Sequence, residues 1–186
     1  MLLGDQLSGY AGRESTMRTR RGARIVLLDQ HDRILMIRHR YDGVIVVPGS
    51  PVREVFWVPP GGGVKEGEDF LQAARRELLE ETGLTEVEWG PCLWTLDADV
   101  RWGGESVHVH ERYFLARAYG TETITRDHLE PDEQQGIVDH RWWSLAELVA
   151  AETTETLRLV GLPGLLADVL AVGGRPASDE PRALRV

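Results

Sequence analysis

Apolar and polar positions alternate along this chain in two distinct rhythms, and the rhythms mark out its elements. Ala23 to Leu28 and Arg33 to Ile37 are short apolar runs joined by Asp29, Gln30, His31 and Asp32. Runs of that length bounded by turn-forming residues predict a β-hairpin. Val55 to Val58 is a further apolar run that leads into Pro59-Pro60-Gly61-Gly62-Gly63. From about Asp69 to Thr82 the period changes to that of a helix, with Phe70, Leu71, Ala74, Leu78 and Leu79 on its apolar face and Gly83 as its stop. Val87 to Leu96 and Val107 to Tyr119 predict two longer strands turning at Gly103-Gly104. The second does not alternate cleanly, which is expected of a strand covered on both faces. Ile137 to Trp143 predicts a last strand, Ser144 to Glu147 a capping box, and Glu155 to Val172 a C-terminal helix.

Between these elements lie the less regular stretches. Residues 1–22 read as a poorly ordered leader, and its basic cluster Arg18, Arg20, Arg21 reads as solvated. Residues 174–186 read as a disordered tail, which leaves 23–173 as a single domain. The connection from Tyr41 to Glu54 carries the turn signals Asp42-Gly43 and Pro48-Gly49-Ser50-Pro51, with Val44 to Val47 as a small strand of its own. It reads equally as a loop gating the glycine turn and as a passive insertion. The mixture of strands and helices predicts the α+β class.

Composition narrows the partners. With 186 residues the chain fits one domain with a sizeable core. A net charge of −9 argues against stable binding to nucleic-acid backbones, which requires a basic face. Acidity does not argue against a phosphate substrate, because a bound cation inverts the local charge. Cys92 is the only cysteine, so no intrachain disulfide forms and a cytoplasmic location is expected. The most apolar run, Leu157 to Val172, is interrupted by Arg158, Pro163 and Asp168, so no membrane span is expected.

The chemistry concentrates in Gly62 to Leu84. Glu77, Glu80 and Glu81 fall three and four positions apart, which places three carboxylates on one helical face. Like charges at that spacing destabilise a helix by about 0.2–0.5 kcal/mol per pair, and a hard divalent cation between them would reverse the sign. The plain alternative is a solvated helix face with Arg76 to Glu80 as a surface pair. The glycines ahead of the helix count against it.

Gly62, Glu68, Arg76, Glu77, Leu78, Glu80, Glu81, Gly83 and Leu84 fill every defined position of the signature that the Nudix hydrolases share, and the chain resembles that family. The resemblance implies an α/β/α sandwich around a mixed β-sheet. It also implies divalent-metal-dependent hydrolysis of a diphosphate linkage in a nucleotide-type small-molecule substrate: a nucleoside triphosphate, a dinucleoside polyphosphate or a nucleotide sugar. Mg2+ or Mn2+ is the implied cofactor. Glu77 and Glu81 are the implied metal ligands, and Glu80 is a further ligand or the base. Arg76 orients the glutamates, Glu68 supports the turn, and the Gly61 carbonyl is a ligand. Glu133, or Glu130 in the same acidic stretch, is the candidate for an acid from a later loop.

Trp57 and Arg38 are the candidates for substrate binding, with Trp94 and Trp102 as other rings able to stack on a base. His108 and His110 share a strand face; a zinc site there lacks a third ligand, and a hydrogen-bonded strand surface is favoured. The markers of the ADP-ribose, dinucleoside polyphosphate and coenzyme A subfamilies are not reproduced around Asp99 to Trp102 or in Ile37 to Gly62. A non-catalytic sensor with the same fold is the competing reading, and a homodimer is compatible with either.

Overall fold

A computed structural model describes residues 17–41, 43, 45–46, 54–120, 124–125, 127–129, 136–174 and 180–184. The described strands are β1 (Arg18–Leu28), β2 (Ile34–Arg40), β3 (Ile45–Val46), β4 (Val55–Val58), β5 (Gly61–Gly63), β6 (Val87–Trp102), β7 (Glu105–Ala118), β8 (Ile137–Trp143) and β9 (Arg182–Leu184). The described helices are α1 (Phe70–Thr82), α2 (Leu145–Ala151) and α3 (Leu162–Ala171). The strands join one mixed sheet in the order β3-β6-β7-β1-β2-β4, with β5 on β1, β8 on β2 and β9 on β6.

β1 is the axis of this arrangement. It runs parallel to β7 from Arg18 opposite Val107 to Leu28 opposite Arg117, and it meets β2 through the turn after Leu28. Successive side chains of a strand point to opposite faces, and here both faces are covered. Ile25 and Leu27 lie under α1 with Ala73, Ala74 and Leu78. Val26 and Leu28 face the other way, into a second core with Leu148 of α2 and Leu162 and Leu166 of α3. Each such valine, leucine or isoleucine, fully buried, contributes about 1.5–3 kcal/mol. The helices on both sides of the sheet make the expected α/β/α sandwich, and the double coverage explains the irregular apolar pattern of β7.

Three departures from the sequence reading have physical causes. β1 begins at Arg18 rather than Ala23, because the basic residues alternate along a paired strand instead of forming a free leader. Arg182–Leu184, within the stretch read as a tail, pairs in parallel with Trp94 to Leu96. The C-terminal helix is shorter than 155–172; it starts at Leu162, after Gly161 in a left-handed conformation and with Pro163 in its first turn. β6 carries Pro91 at a register shift between Trp89 and Cys92, where the missing N–H does no harm. No helix among the described residues is long and apolar enough to cross a membrane.

Candidate active site

Local sequence fixes the orientation of α1. Asp69 caps it by accepting from the Gln72 N–H, and the Gln72 side chain returns a bond to the Asp69 N–H, both at 2.8 Å. Gly83 closes it in the left-handed conformation that glycine adopts without strain. With both ends fixed, the helical period turns Glu77 and Glu81 inward, where they are 4% and 3% exposed. Glu80 stays nearer the rim, its side chain 18% exposed. His140 of β8 hydrogen-bonds the Glu81 carbonyl through Nε2 at 2.9 Å and ties the helix end to the sheet.

Arg76 gathers the acids. Its Nε donates to Glu68 Oε1 at 2.7 Å, and Nη2 donates to Glu68 Oε2 at 3.0 Å and to the Gly63 carbonyl at 2.8 Å. Nη1 donates to both Glu77 Oε1 and Glu80 Oε2 at 2.8 Å. The paired guanidinium holds the Glu68 carboxyl down at about 2. Hydrogen bonding to Glu68 and to the other acids raises the pKa of Arg76 in return.

The glycine turn is itself a strand, paired residue by residue with Gly22, Ala23 and Arg24 of β1. Gly61 has φ +130°, and a Cβ there would run into the Ala23 carbonyl, so no other residue fits without moving the backbone. Its N–H donates to Glu81 Oε2 at 2.6 Å, and its carbonyl accepts from Arg24 Nη1. Arg24 Nε also donates to Glu111 Oε1 at 3.1 Å, and the Tyr113 hydroxyl donates to Glu111 Oε2 at 2.7 Å. Burial works against the Arg24 charge, yet Glu111 leaves its pKa above the ordinary value. Burial, aided by Glu111, pushes the Tyr113 hydroxyl well up.

Arg76, Glu77 and Glu80 border a cleft of about 410 Å³ between α1, the end of β5 and the first residues of β1, whereas Gly61, Glu81, Arg24 and Glu111 do not line it. Glu77 and Glu80 line it together with Arg18, Arg20 and Arg21. Arg20 lies 3.8 Å over the Trp102 ring and Arg21 4.4 Å over Phe70.

The structure thus brings Gly61, Glu68, Arg76, Glu77, Glu80 and Glu81 together. It separates the two residues assigned to substrate. Trp57 is 3% exposed, edge-on to Trp143 in the core, with its indole N–H given to Glu155 at 3.1 Å. A large ring just ahead of a glycine turn looks available in sequence, but β4 faces it into the sandwich. Arg38 sits on β2 beside Trp57, its Cζ 5.7 Å from that ring and away from the cleft lining. Glu130 and Glu133 lie outside the described residues. His108 and His110 form a hydrogen-bonded strand surface with Asp97 and Asp99, at 2.7–3.2 Å.

Sequence reasoning missed Arg20, Arg21, Arg24 and Glu111. The available signal was the alternation of arginines running straight into the apolar part of β1. Glu111 had none, being 87 positions from its partner.

Among the described residues no three carboxylate or imidazole side chains stand together as a ready metal cage. Arg76 lies between Glu77 and Glu80, and the Gly61 N–H takes Glu81. The donor set nevertheless fits a hard divalent ion. Every candidate atom is an oxygen, two of the carboxylates are buried, and the absent Cβ of Gly62 leaves room against Glu77.

A family model described as the NUDIX domain matches residues 18–160. An RNA pyrophosphohydrolase from Wolbachia pipientis is 34% identical over 107 residues, covering 52% of this chain and 63% of that protein. The m7GpppN-mRNA hydrolase NUDT17 of Xenopus laevis is 40% identical over 84 residues, covering 42% of this chain and 28% of that protein. The chain therefore spans less than two thirds of either relative. Among solved structures, the E. coli dihydroneopterin triphosphate pyrophosphohydrolase shares the fold, with TM-score 0.58 and 18% identity over 84% of this chain and 99% of that one.

Proposed function

This chain belongs to the NUDIX family, and we propose that it is a divalent-metal-dependent hydrolase cleaving a diphosphate linkage in nucleotide substrates. Nucleoside triphosphates, dinucleoside polyphosphates and nucleotide sugars all present that linkage; the relatives named as an RNA pyrophosphohydrolase and an m7GpppN-mRNA hydrolase add an RNA-borne linkage to the classes to be assayed. The observation that carries the reading is the Arg76 hub: one guanidinium bonds Glu68, Glu77 and Glu80 at the lip of a cleft.

Glu77, Glu80, Glu81 and the Gly61 carbonyl would hold magnesium or manganese, and Glu133 is proposed as a further acid. When bound, such an ion supplies neutralisation of phosphate-oxygen charge and in-line placement of the diphosphate. The protein's own contribution is order. Arg76 positions two of the carboxylates through fixed hydrogen bonds, and the Gly61 N–H positions the third. Glu80, less covered than Glu77, is proposed either as a further holder of the ion or as the acid that takes a proton from the attacking water. Water's oxygen bonds one phosphorus as its proton passes to a carboxylate, the bridging P–O bond breaks, and the substrate separates into two phosphate products, a nucleoside monophosphate being one of them for a nucleotide. The single cysteine suits a reducing cytoplasm.

The test is Glu81→Gln assayed with each metal over a nucleotide panel. Release of nucleoside monophosphate should fall by about 100-fold or more. Undiminished turnover overturns the catalytic assignment. A wild-type protein that binds nucleotides but turns none over with either metal is a sensor instead.

A further inference from the structure

A chain of net charge −9 sets three arginines of one strand, Arg18, Arg20 and Arg21, along the same cleft as Glu77 and Glu80. Among the described residues none of the three forms an ion pair, unlike Arg24, Arg33, Arg76 and Arg117, which all do. Arg18 and Arg20 project to the same side of β1, about 6.6 Å apart along the strand. Like charges this close repel. Burial and then the neighbouring Arg24 lower the pKa of Arg20, while the charges of Glu111 and Glu77 act the other way.

Ring contacts hold two of these side chains in place. Arg20 rests on Trp102 and Arg21 on Phe70, and a guanidinium stacked on a ring keeps the N–H groups of its edge available for oxygen acceptors. Two of the three guanidinium groups are therefore ordered before any anion arrives. The array is also surplus to the chemistry assigned above. Arg76 is consumed by three glutamates, and Arg24 by Glu111 and the Gly61 carbonyl.

We infer that Arg18, Arg20 and Arg21 are a subsite for a chain of three or more phosphates, so that the cleft favours polyphosphate-bearing substrates over two-phosphate nucleotide sugars. The inference rests on the hydrolase reading for its biological sense, but not for its test, because the arginines bind anions without metal. The charge balance explains the preference: three cations beside the cleft, without ion-pair partners among the described residues, answer the larger negative charge of a three-phosphate chain.

Calorimetry in EDTA with inorganic tripolyphosphate and with pyrophosphate tests this directly. Wild-type protein should bind tripolyphosphate at least about tenfold more tightly. Arg20→Ala with Arg21→Ala should abolish that preference, and the exposed single change Arg21→Ala should reduce it if the double variant fails to fold. Equal affinities in the wild type, or a preference that survives in a folded variant, overturns the subsite. Displacement by a nucleoside triphosphate or by a 5′-triphosphorylated oligonucleotide supports it and identifies the bearer of the chain. Displacement by neither overturns it. Glu81→Gln should retain the preference, so loss of turnover in that variant leaves this result standing on its own.

Discussion

A Cβ placed on Gly62 would stand 2.6 Å from Glu77 Oε1 and 2.8 Å from Oε2. The glycine and the glutamate come from different elements, and the inward position of the carboxylate exists only because one of them has no side chain. Gly62→Ala should therefore displace Glu77 while leaving α1 folded. Nucleoside monophosphate release should drop by about 100-fold, the scale of a misplacement near 1 Å. Urea unfolding should show a loss of about 1–3 kcal/mol from overpacking. Full activity in Gly62→Ala would show that Glu77 does not need its observed place.

Arg76 acts through geometry as well as charge. Lysine keeps the charge but is a single point, unable to span Glu68, Glu77, Glu80 and the Gly63 carbonyl. Arg76→Lys should lose about 10–100-fold in turnover. Its magnesium affinity, read by titration, should weaken in step. Near wild-type kinetics in the lysine variant would mean that charge alone suffices.

Glu68 gives a pH signature. Its carboxyl sits at about 2 in the folded chain against an ordinary 4.5, chiefly through the Arg76 hydrogen bonds. A depressed folded value means that the ionised form stabilises the fold. That contribution is complete above pH 4.5 and disappears as the pH falls through about 2. Melting temperature followed through this window should fall more steeply in the wild type than in Glu68→Gln. Parallel curves would remove Glu68 from the hub.

Arg24 and Glu111 should behave as one unit. Arg24→Met strands the Glu111 carboxylate and Glu111→Gln leaves the Arg24 charge unmatched, and each should cost about 1–3 kcal/mol. The double variant should cost less than the sum, with a coupling of about 0.5–3 kcal/mol by denaturant unfolding. Strict additivity would show that the 3.1 Å contact carries no energy.

Much of this was legible along the chain because it is local. The bounds of α1 follow from Asp69, Gln72 and Gly83, and its acids from a spacing of three and four. Ile137–Trp143 and the Ser144 to Glu147 capping box are equally short-range and were read with their correct bounds. What escaped depends on partners distant in sequence. The arginines of β1 read as a solvated leader because charge masks a strand whose order comes from Val107 to His110 across the ladder. Trp57 read as an open ring because only the fold reveals Trp143 and Glu155 against it.

The parallel union of β1 with β7 has a consequence for how the protein comes into being. During synthesis Arg24 is made 87 positions ahead of Glu111, so the strand at the middle of the sandwich emerges with one edge bare. Contacts that span so much chain close late and slowly, and exposed strand edges invite foreign pairing meanwhile. A ribosome-bound fragment stopping before β7 should hold helix α1 and yet possess no cleft, needing a chaperone to keep it from sticking to its neighbours.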